Sequence, residues 1–106
     1  MNITDRELLE LAAKAAGIEY GTDRLAQDLA LYRMSGGHFW LPRWNPLTDD
    51  GDALRLAVKL RMLVEIERVL ELSSANGQYE SHDEDPYAAT RRAIVRAAAE
   101  IGRAMP

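Results

Sequence analysis

The C-terminal fifth of the chain constrains the fold most. Asp85 is a favoured N-cap residue, and Pro86 follows at the first helical position, where a missing N–H costs nothing. An apolar stripe then recurs at helical spacing, formed by Tyr87, Thr90, Ile94, Ala98, Ile101 and Met105. This pattern predicts a helix over about Pro86–Ala104, and its many alanines are small enough to let the helix lie close to a sheet.

A first helix is predicted near the start of the chain. Thr4 is followed three residues later by Glu7, which is the capping-box pattern. Leu8 begins an apolar stripe at helical spacing, and Gly17 supplies a left-handed stop. The helix is therefore expected over about Asp5–Ala16.

A second helix is predicted to begin within residues 45–52, which are rich in turn-formers and acids. Apolar residues then follow at helical spacing, namely Ala53, Leu56, Ala57 and Leu60. We expect this helix over residues 50–61. Its acidic start suits the positive end of a helix dipole, an effect of about 0.3–1 kcal/mol per charge.

Residues 64–72 alternate as in a half-buried strand, with an apolar side formed by Val64, Ile66, Leu70 and Leu72. The alternation is interrupted once, so a helix continued through residues 62–74 stays an alternative. Asn76-Gly77 favours the strand, because both residues accept the positive φ of a type I′ hairpin turn. Residues 78–82 would then form the returning strand.

The middle of the chain has no long period. Residues 29–34 and 38–41 contain strand-formers, and residues 35–37 between them predict a turn, so a hairpin is expected. A short helix over residues 22–31 is the competing interpretation.

Together these elements predict an α+β fold in which a small antiparallel β-sheet packs with three α-helices, as a single domain over residues 1–106. Trp44 is expected in the core beside the second helix. The rest of the expected core is Leu8, Leu11, Leu56, Leu60, Val64, Ile66, Leu70, Ile94 and Ile101.

Composition excludes several functional classes. Cysteine is absent, so thiol catalysis, disulfides and thiolate metal sites are excluded. The N-terminus carries acids where a signal peptide needs a basic start, and apolar runs are too short to span a bilayer, so we expect a cytoplasmic protein with no membrane partner. A net charge of −4 disfavours nucleic acid as a partner.

Three segments carry a resemblance to known proteins: ITDRELL at residues 3–9, WNPLTDDGDALRLAV at residues 44–58 and DPYAATRRAI at residues 85–94. They resemble small proteins of tailed phages and prophages of the phage ABA-sandwich type. This resemblance implies helices packed on both sides of a small antiparallel sheet. It implies no catalytic residues.

Two polar clusters contain residue types that could form a chemical site. Asp49, Asp50 and Asp52 are carboxylates suited to a hard cation, but helix capping explains them fully. His82 and the acids at residues 83–85, which His38 could join, offer metal ligands or an acid–base pair, and an exposed polar connector is the simpler interpretation. Because no catalytic motif is recognised, the chain is expected to be no enzyme and to need neither cofactor nor metal.

The remaining candidates are contact residues. Aromatic side chains gather in a segment punctuated by glycine and proline, and arginines four and seven residues apart share one face of the last helix. The candidate partner-binding residues are Tyr32, Phe39, Trp40, Arg92, Arg96 and Arg103.

The resulting hypothesis is a phage or prophage accessory protein that binds a host or phage protein, such as a host-defence complex that it antagonises. One alternative is nucleic-acid binding through the arginines, because four arginines and one glutamate give residues 86–106 a local charge of +3. The other alternative is a metal-dependent hydrolase that uses the acids or His82.

Overall fold

A computed structural model of the chain describes residues 3–18, 20–22, 31–35 and 39–106, with side chains for residues 3–18 and 44–106. Within these residues the helices are α1 (Asp5–Ala16), α2 (Asp50–Lys59) and α3 (Pro86–Ala104). The strands are β1 (Tyr20–Thr22), β2 (Leu31–Ser35), β3 (Phe39–Trp44), β4 (Val64–Glu67), β5 (Leu72–Ala75) and β6 (Gln78–Ser81).

The local capping signals place α1 and α3 where the sequence predicts them. The Thr4 hydroxyl accepts a hydrogen bond from the Glu7 N–H at the start of α1, and Gly17 ends that helix in the left-handed region at φ 69°. The Asp85 carboxylate accepts from the first turn of α3. Both helices have the predicted bounds, because these caps act through neighbouring residues alone.

Helix α2 ends two residues before its predicted end. Its last turn is a Schellman motif, in which the Met62 N–H donates to the Ala57 carbonyl and the Arg61 N–H donates to that of Val58. Arg61 takes a positive φ of 53°, at a position where glycine is usual. The sequence offers no glycine to mark this stop.

The predicted strand over residues 64–72 is wrong as a single strand, although the continued-helix alternative is also not found. The chain instead reverses at residues 68–71, so that β4 and β5 form an antiparallel hairpin. Glu71 adopts φ 51°, and the Glu67 carboxylate accepts the Val69 N–H inside the turn. These two features replace the glycine or asparagine that would signal such a reversal.

The second hairpin of this sheet follows the prediction. Asn76 and Gly77 have φ values of 46° and 84°, as a type I′ turn requires, and β6 returns antiparallel to β5. The resulting sheet has the order β4-β5-β6. A separate sheet of order β1-β2-β3 contains the predicted hairpin as β2 and β3. The competing helix over residues 22–31 falls largely outside the described residues.

Helix α3 is the central element of the core. It packs against α1, against α2, and against β5 and β6. Such contact with several neighbours depends on small residues, and the buried positions of α3 are mostly small: Ala89, Ala93, Ile94, Val95, Ala97, Ala98, Ala99 and Gly102. The predicted α+β fold, with a small antiparallel sheet and three packed helices, is confirmed.

Most predicted core residues are inside. Trp44 is 2% exposed, as predicted, and Leu8, Leu56 and Ile94 are buried, while Leu11, Leu60, Val64 and Ile101 are half-buried.

Two predictions of core residues are wrong. Leu70 is 69% exposed because it lies in the β4–β5 turn, and Ile66 is 65% exposed because β4 is an edge strand over an open groove.

Candidate protein-binding site

The aromatic candidates Tyr32, Phe39 and Trp40 are on the first sheet. Tyr32 is in β2, and Phe39 and Trp40 begin β3. Their side chains lie outside the described residues, as does the whole of His38. The prediction that these aromatics form a contact surface stays a prediction.

The arginine candidates do share one face of α3. Arg92, Arg96 and Arg103 line a groove of about 540 Å³, together with Ile3, Leu8, Gln78, Glu80 and Glu100. The groove runs between the start of α1, the strand β6 and α3. The helical spacing in the sequence thus indicates correctly that the three guanidinium groups lie near one another.

Each of these arginines has a carboxylate partner. Arg92 Nη2 lies 3.0 Å from Asp5 Oδ1, and Arg96 pairs with Glu80. Arg103 Nη1 lies 3.7 Å from Glu100 Oε1. The groove is therefore close to neutral, and a phosphate would have to compete with these carboxylates for the guanidinium groups.

The acids before and within α2 have structural partners. The Asp49 carboxylate accepts the Asp52 N–H at 2.8 Å as the N-cap. Asp52, only 4% exposed, accepts the Asn45 N–H at 3.0 Å and Arg55 Nη2 at 2.8 Å. Asp50 pairs with Arg91 across to α3 at 2.6 Å. Among the described side chains, no cluster of histidines and acids has the arrangement of a metal site.

His82 forms part of a half-buried chain of hydrogen bonds that sequence reasoning did not anticipate. Its Nε2 atom lies 2.8 Å from the Ser73 hydroxyl, which in turn lies 2.7 Å from the Thr90 hydroxyl. Ser73 is fully buried in β5. A serine beside a histidine is the pairing used by nucleophilic hydrolases, so the direction of these hydrogen bonds decides what the pair does.

Counting protons gives that direction. Thr90 donates its single hydroxyl proton to the Pro86 carbonyl at 2.7 Å. Ser73 must then donate to Thr90, which leaves Ser73 as the acceptor of a proton on His82 Nε2. A general base needs the opposite arrangement, with the histidine accepting from the serine. Together with the full burial of Ser73, this assigns the chain of hydrogen bonds a structural role, in which it connects β5 and α3 with His82, the residue that follows β6.

A second groove is apolar and lies between α2, β4 and the first half of α3. It encloses about 330 Å³ and is lined by Asp50, Ala53, Leu54, Ala57, Val64, Ile66, Tyr87, Thr90, Arg91 and Ile94. Its walls belong to three different elements whose positions are fixed by the core. Arg91, which donates to the Leu47 carbonyl at 2.8 Å and pairs with Asp50, ties α3 to the loop before α2.

The apolar side chains around this groove are unusually exposed. Leu54, Ile66 and Tyr87 are 64%, 65% and 68% exposed, and Val58, one helical turn after Leu54, is 67% exposed. Large apolar side chains gathered around a concave surface are typical of interaction sites. We name this surface, comprising the groove and Val58, the α2–β4 groove.

The sequence contained a signal for half of this site. The core stripe of α2 is formed by Ala53, Leu56 and Ala57, and Leu54 and Val58 fall outside it, four residues apart. Two large apolar residues on the outer side of an amphipathic helix form a second apolar face. The other half, from β4 and α3, depends on long-range packing and has no local signal.

Comparison of the chain with protein-family models, with curated protein sequences and with solved structures gives no match. Among the described residues, no helix has the length and apolarity needed to cross a bilayer.

Proposed function

We propose that this chain is a non-catalytic protein-binding module and that the α2–β4 groove is its binding surface. The observation that carries the proposal is the exposure of Leu54, Ile66 and Tyr87, each about two-thirds exposed around one concave site. Leaving such side chains in water costs about 25 cal/mol per Å² of apolar surface. A partner that covers them recovers this free energy, as anchor residues do at protein interfaces.

The proposal includes a biological setting. The three segments that resemble phage and prophage proteins support an origin in a phage, and we propose that the chain acts inside the host cell on a host factor. A host-defence complex is the class of factor we propose, with the chain as its antagonist.

Affinity capture from bacterial host lysate tests this function. We expect the immobilised chain to retain a host protein, and Leu54→Glu to reduce that retention about tenfold or more, because the new carboxylate would be desolvated in the interface. Leu54 is exposed and glutamate is a good helix former, so this variant should fold normally.

The matched control for this capture is Tyr79→Glu. Tyr79 is 63% exposed on β6, at the opposite edge of the sheet from β4. The Tyr79→Glu variant carries the same new charge at a position of similar exposure, and it should retain the host protein as well as the native chain does. Equal retention by Leu54→Glu and the native chain would reject the α2–β4 groove, and detectable turnover in a hydrolase screen without any retained protein would reject the binding function.

Nucleic-acid binding is the second candidate function, because α3 brings Arg92, Arg96 and Arg103 to one groove. It predicts an affinity that falls steeply with added salt, since each neutralised phosphate releases counterions. The carboxylate partners of these arginines make it the weaker candidate. Absence of binding to DNA and RNA at low ionic strength would eliminate it.

A further inference from the structure

The strand β4 is an edge of its sheet, and the α2–β4 groove lies beside that edge. The order β4-β5-β6 leaves one side of β4 without a neighbouring strand in the described part of the chain. Val64 and Ile66 line the groove from this strand, while Leu54 and Ala57 line it from α2. The open edge of the sheet therefore lies beside the second apolar face of α2, which Leu54 and Val58 form.

The register shows which backbone groups of β4 face outward. Asn76 N–H donates to the Leu63 carbonyl at 2.9 Å, so these two residues form a hydrogen-bonded pair at the start of the β4–β5 ladder. Such pairs alternate along antiparallel strands, which directs the backbone groups of Glu65 and Glu67 toward β5. Those of Val64 and Ile66 point to the open edge, and no described residue bonds them there.

The opposite edge of the sheet, formed by β6, is partly covered by a side chain of α3. The Tyr79 carbonyl on β6 accepts a hydrogen bond from Arg96 Nη1 at 3.0 Å, and Arg96 also pairs with Glu80. A side chain of α3 therefore occupies part of the β6 edge. At β4, by contrast, the open edge adjoins the apolar α2–β4 groove.

We propose that the α2–β4 groove binds an extended segment of the partner, which adds to β4 as a fourth strand. This inference rests on the proposed protein-binding function and specifies its mode. The backbone of the segment would bond the outward groups of Val64 and Ile66, as in other cases of strand addition to a sheet edge. Its side chains on the helix side would cover Leu54 and Val58 on α2.

The chemistry of the segment follows from the two faces of β4. Residues opposite Val64 and Ile66 would point toward the helices, so they should be apolar. Residues opposite Glu65 and Glu67 would point to the other face of the sheet, where lysine or arginine would complement the two carboxylates. The partner segment is therefore an extended stretch that alternates apolar and basic residues.

The same carboxylates disfavour a second copy of this chain as the occupant. If two copies paired edge to edge through β4, Glu65 and Glu67 of one copy would lie opposite those of the other. Like charges directly opposite each other across strands are destabilising. A charged edge of this kind is a common device against self-association.

Synthetic peptides of about seven residues, long enough to span β4 at roughly 3.3 Å per residue, test the inference. We expect a peptide alternating valine and lysine to bind the full chain, measured by fluorescence anisotropy, at least about tenfold more tightly than one alternating valine and glutamate. Methylating the backbone nitrogens that would face β4 should abolish binding, because strand addition requires those N–H donors. The variant Glu65→Lys should remove the preference for the lysine peptide, and Glu67 is kept in this variant because its carboxylate accepts the Val69 N–H in the β4–β5 turn.

The outcomes separate this inference from the proposed function. Equal binding of the methylated peptide, or an unchanged preference in the charge-reversed variant, would overturn strand addition. If no peptide binds while Leu54→Glu still abolishes capture of a host protein, the protein-binding function stands and the strand mode is wrong. If the native chain self-associates through β4 in sedimentation measurements, the occupant is a second copy and the basic segment is wrong.

Discussion

Gly102 of α3 lies directly against the backbone of Leu11 in α1. A Cβ atom at Gly102 would overlap the Leu11 carbonyl oxygen and lie 2.9 Å from its carbonyl carbon. The two helices can approach this closely only because position 102 has no side chain. This contact fixes α1 on α3, and α3 in turn provides one wall of the α2–β4 groove.

Gly102→Ala should therefore destabilise the fold. Alanine gains about 1 kcal/mol of helix propensity over glycine, but overpacking costs about 1–3 kcal/mol, and contact with rigid backbone places this case at the upper end. Gly51→Ala in α2 is the control, since its Cβ would meet side-chain atoms of Arg55 and Asp49 at 3.1–3.2 Å, which need to shift by only a few tenths of an ångström, so that the gain in helix propensity offsets the contact. Urea unfolding should show a loss for Gly102→Ala and none for Gly51→Ala; equal stabilities would contradict the close approach.

Asp52→Asn should cost about 1–3 kcal/mol of unfolding free energy. The two carboxylate oxygens accept from Asn45 and Arg55, whereas an amide has one accepting oxygen and would direct its NH₂ group at a donor. Asp49→Asn is the matched control, because asparagine caps a helix as well as aspartate does. If thermal melts show the two variants to be equally stable, the buried Asp52 carboxylate does not stabilise the fold through these two hydrogen bonds.

The same hydrogen bonds predict the response to metal ions. The acids near α2 are engaged with backbone N–H groups and arginines, so excess calcium, magnesium, manganese or zinc should leave the melting temperature unchanged. A ligand that binds the folded state raises that temperature according to its affinity. A clear rise with one of these ions would revive the metal-dependent hydrolase.

Ser73→Ala should destabilise the fold by about 1–3 kcal/mol, because it leaves the His82 Nε2 proton without its acceptor at the fully buried position 73. Ser81→Ala removes an exposed hydroxyl that donates to Asp83, and it should change stability by less than about 0.5 kcal/mol. Chemical denaturation of both variants measures the difference. An unaffected Ser73→Ala would show that the chain of hydrogen bonds does not hold β5 to α3.

How much of this structure the sequence predicts depends on the range of the interactions. The caps Thr4 and Asp85, the stop at Gly17 and the turn at Asn76-Gly77 act within a few residues, and each is found where it was expected. The reversal at residues 68–71 was missed because its turn has no glycine, proline or asparagine. Its positive-φ residue is a glutamate, which local patterns do not mark.

The candidate site shows the same division. The shared face of Arg92 and Arg96 follows from helical spacing, but their partners Asp5 and Glu80 are 87 and 16 residues away in the chain. The helical spacing alone therefore does not show that these guanidinium groups are already paired with carboxylates, and it overestimates their availability to a partner. The exposure of Ile66 was missed for a related reason, since only the order of the strands places β4 at an edge.

Amide hydrogen exchange of the full chain, free and bound to the alternating valine–lysine peptide or to a captured host protein, shows whether the partner adds as a strand to the open edge of β4. The outward amide of Ile66 should be protected about tenfold or more in the complex, because it becomes bonded to the added strand. The amide of Tyr79, outward on the opposite edge by the β5–β6 register, should exchange at an unchanged rate. Protection of Tyr79 with no change at Ile66 would contradict binding at the α2–β4 groove.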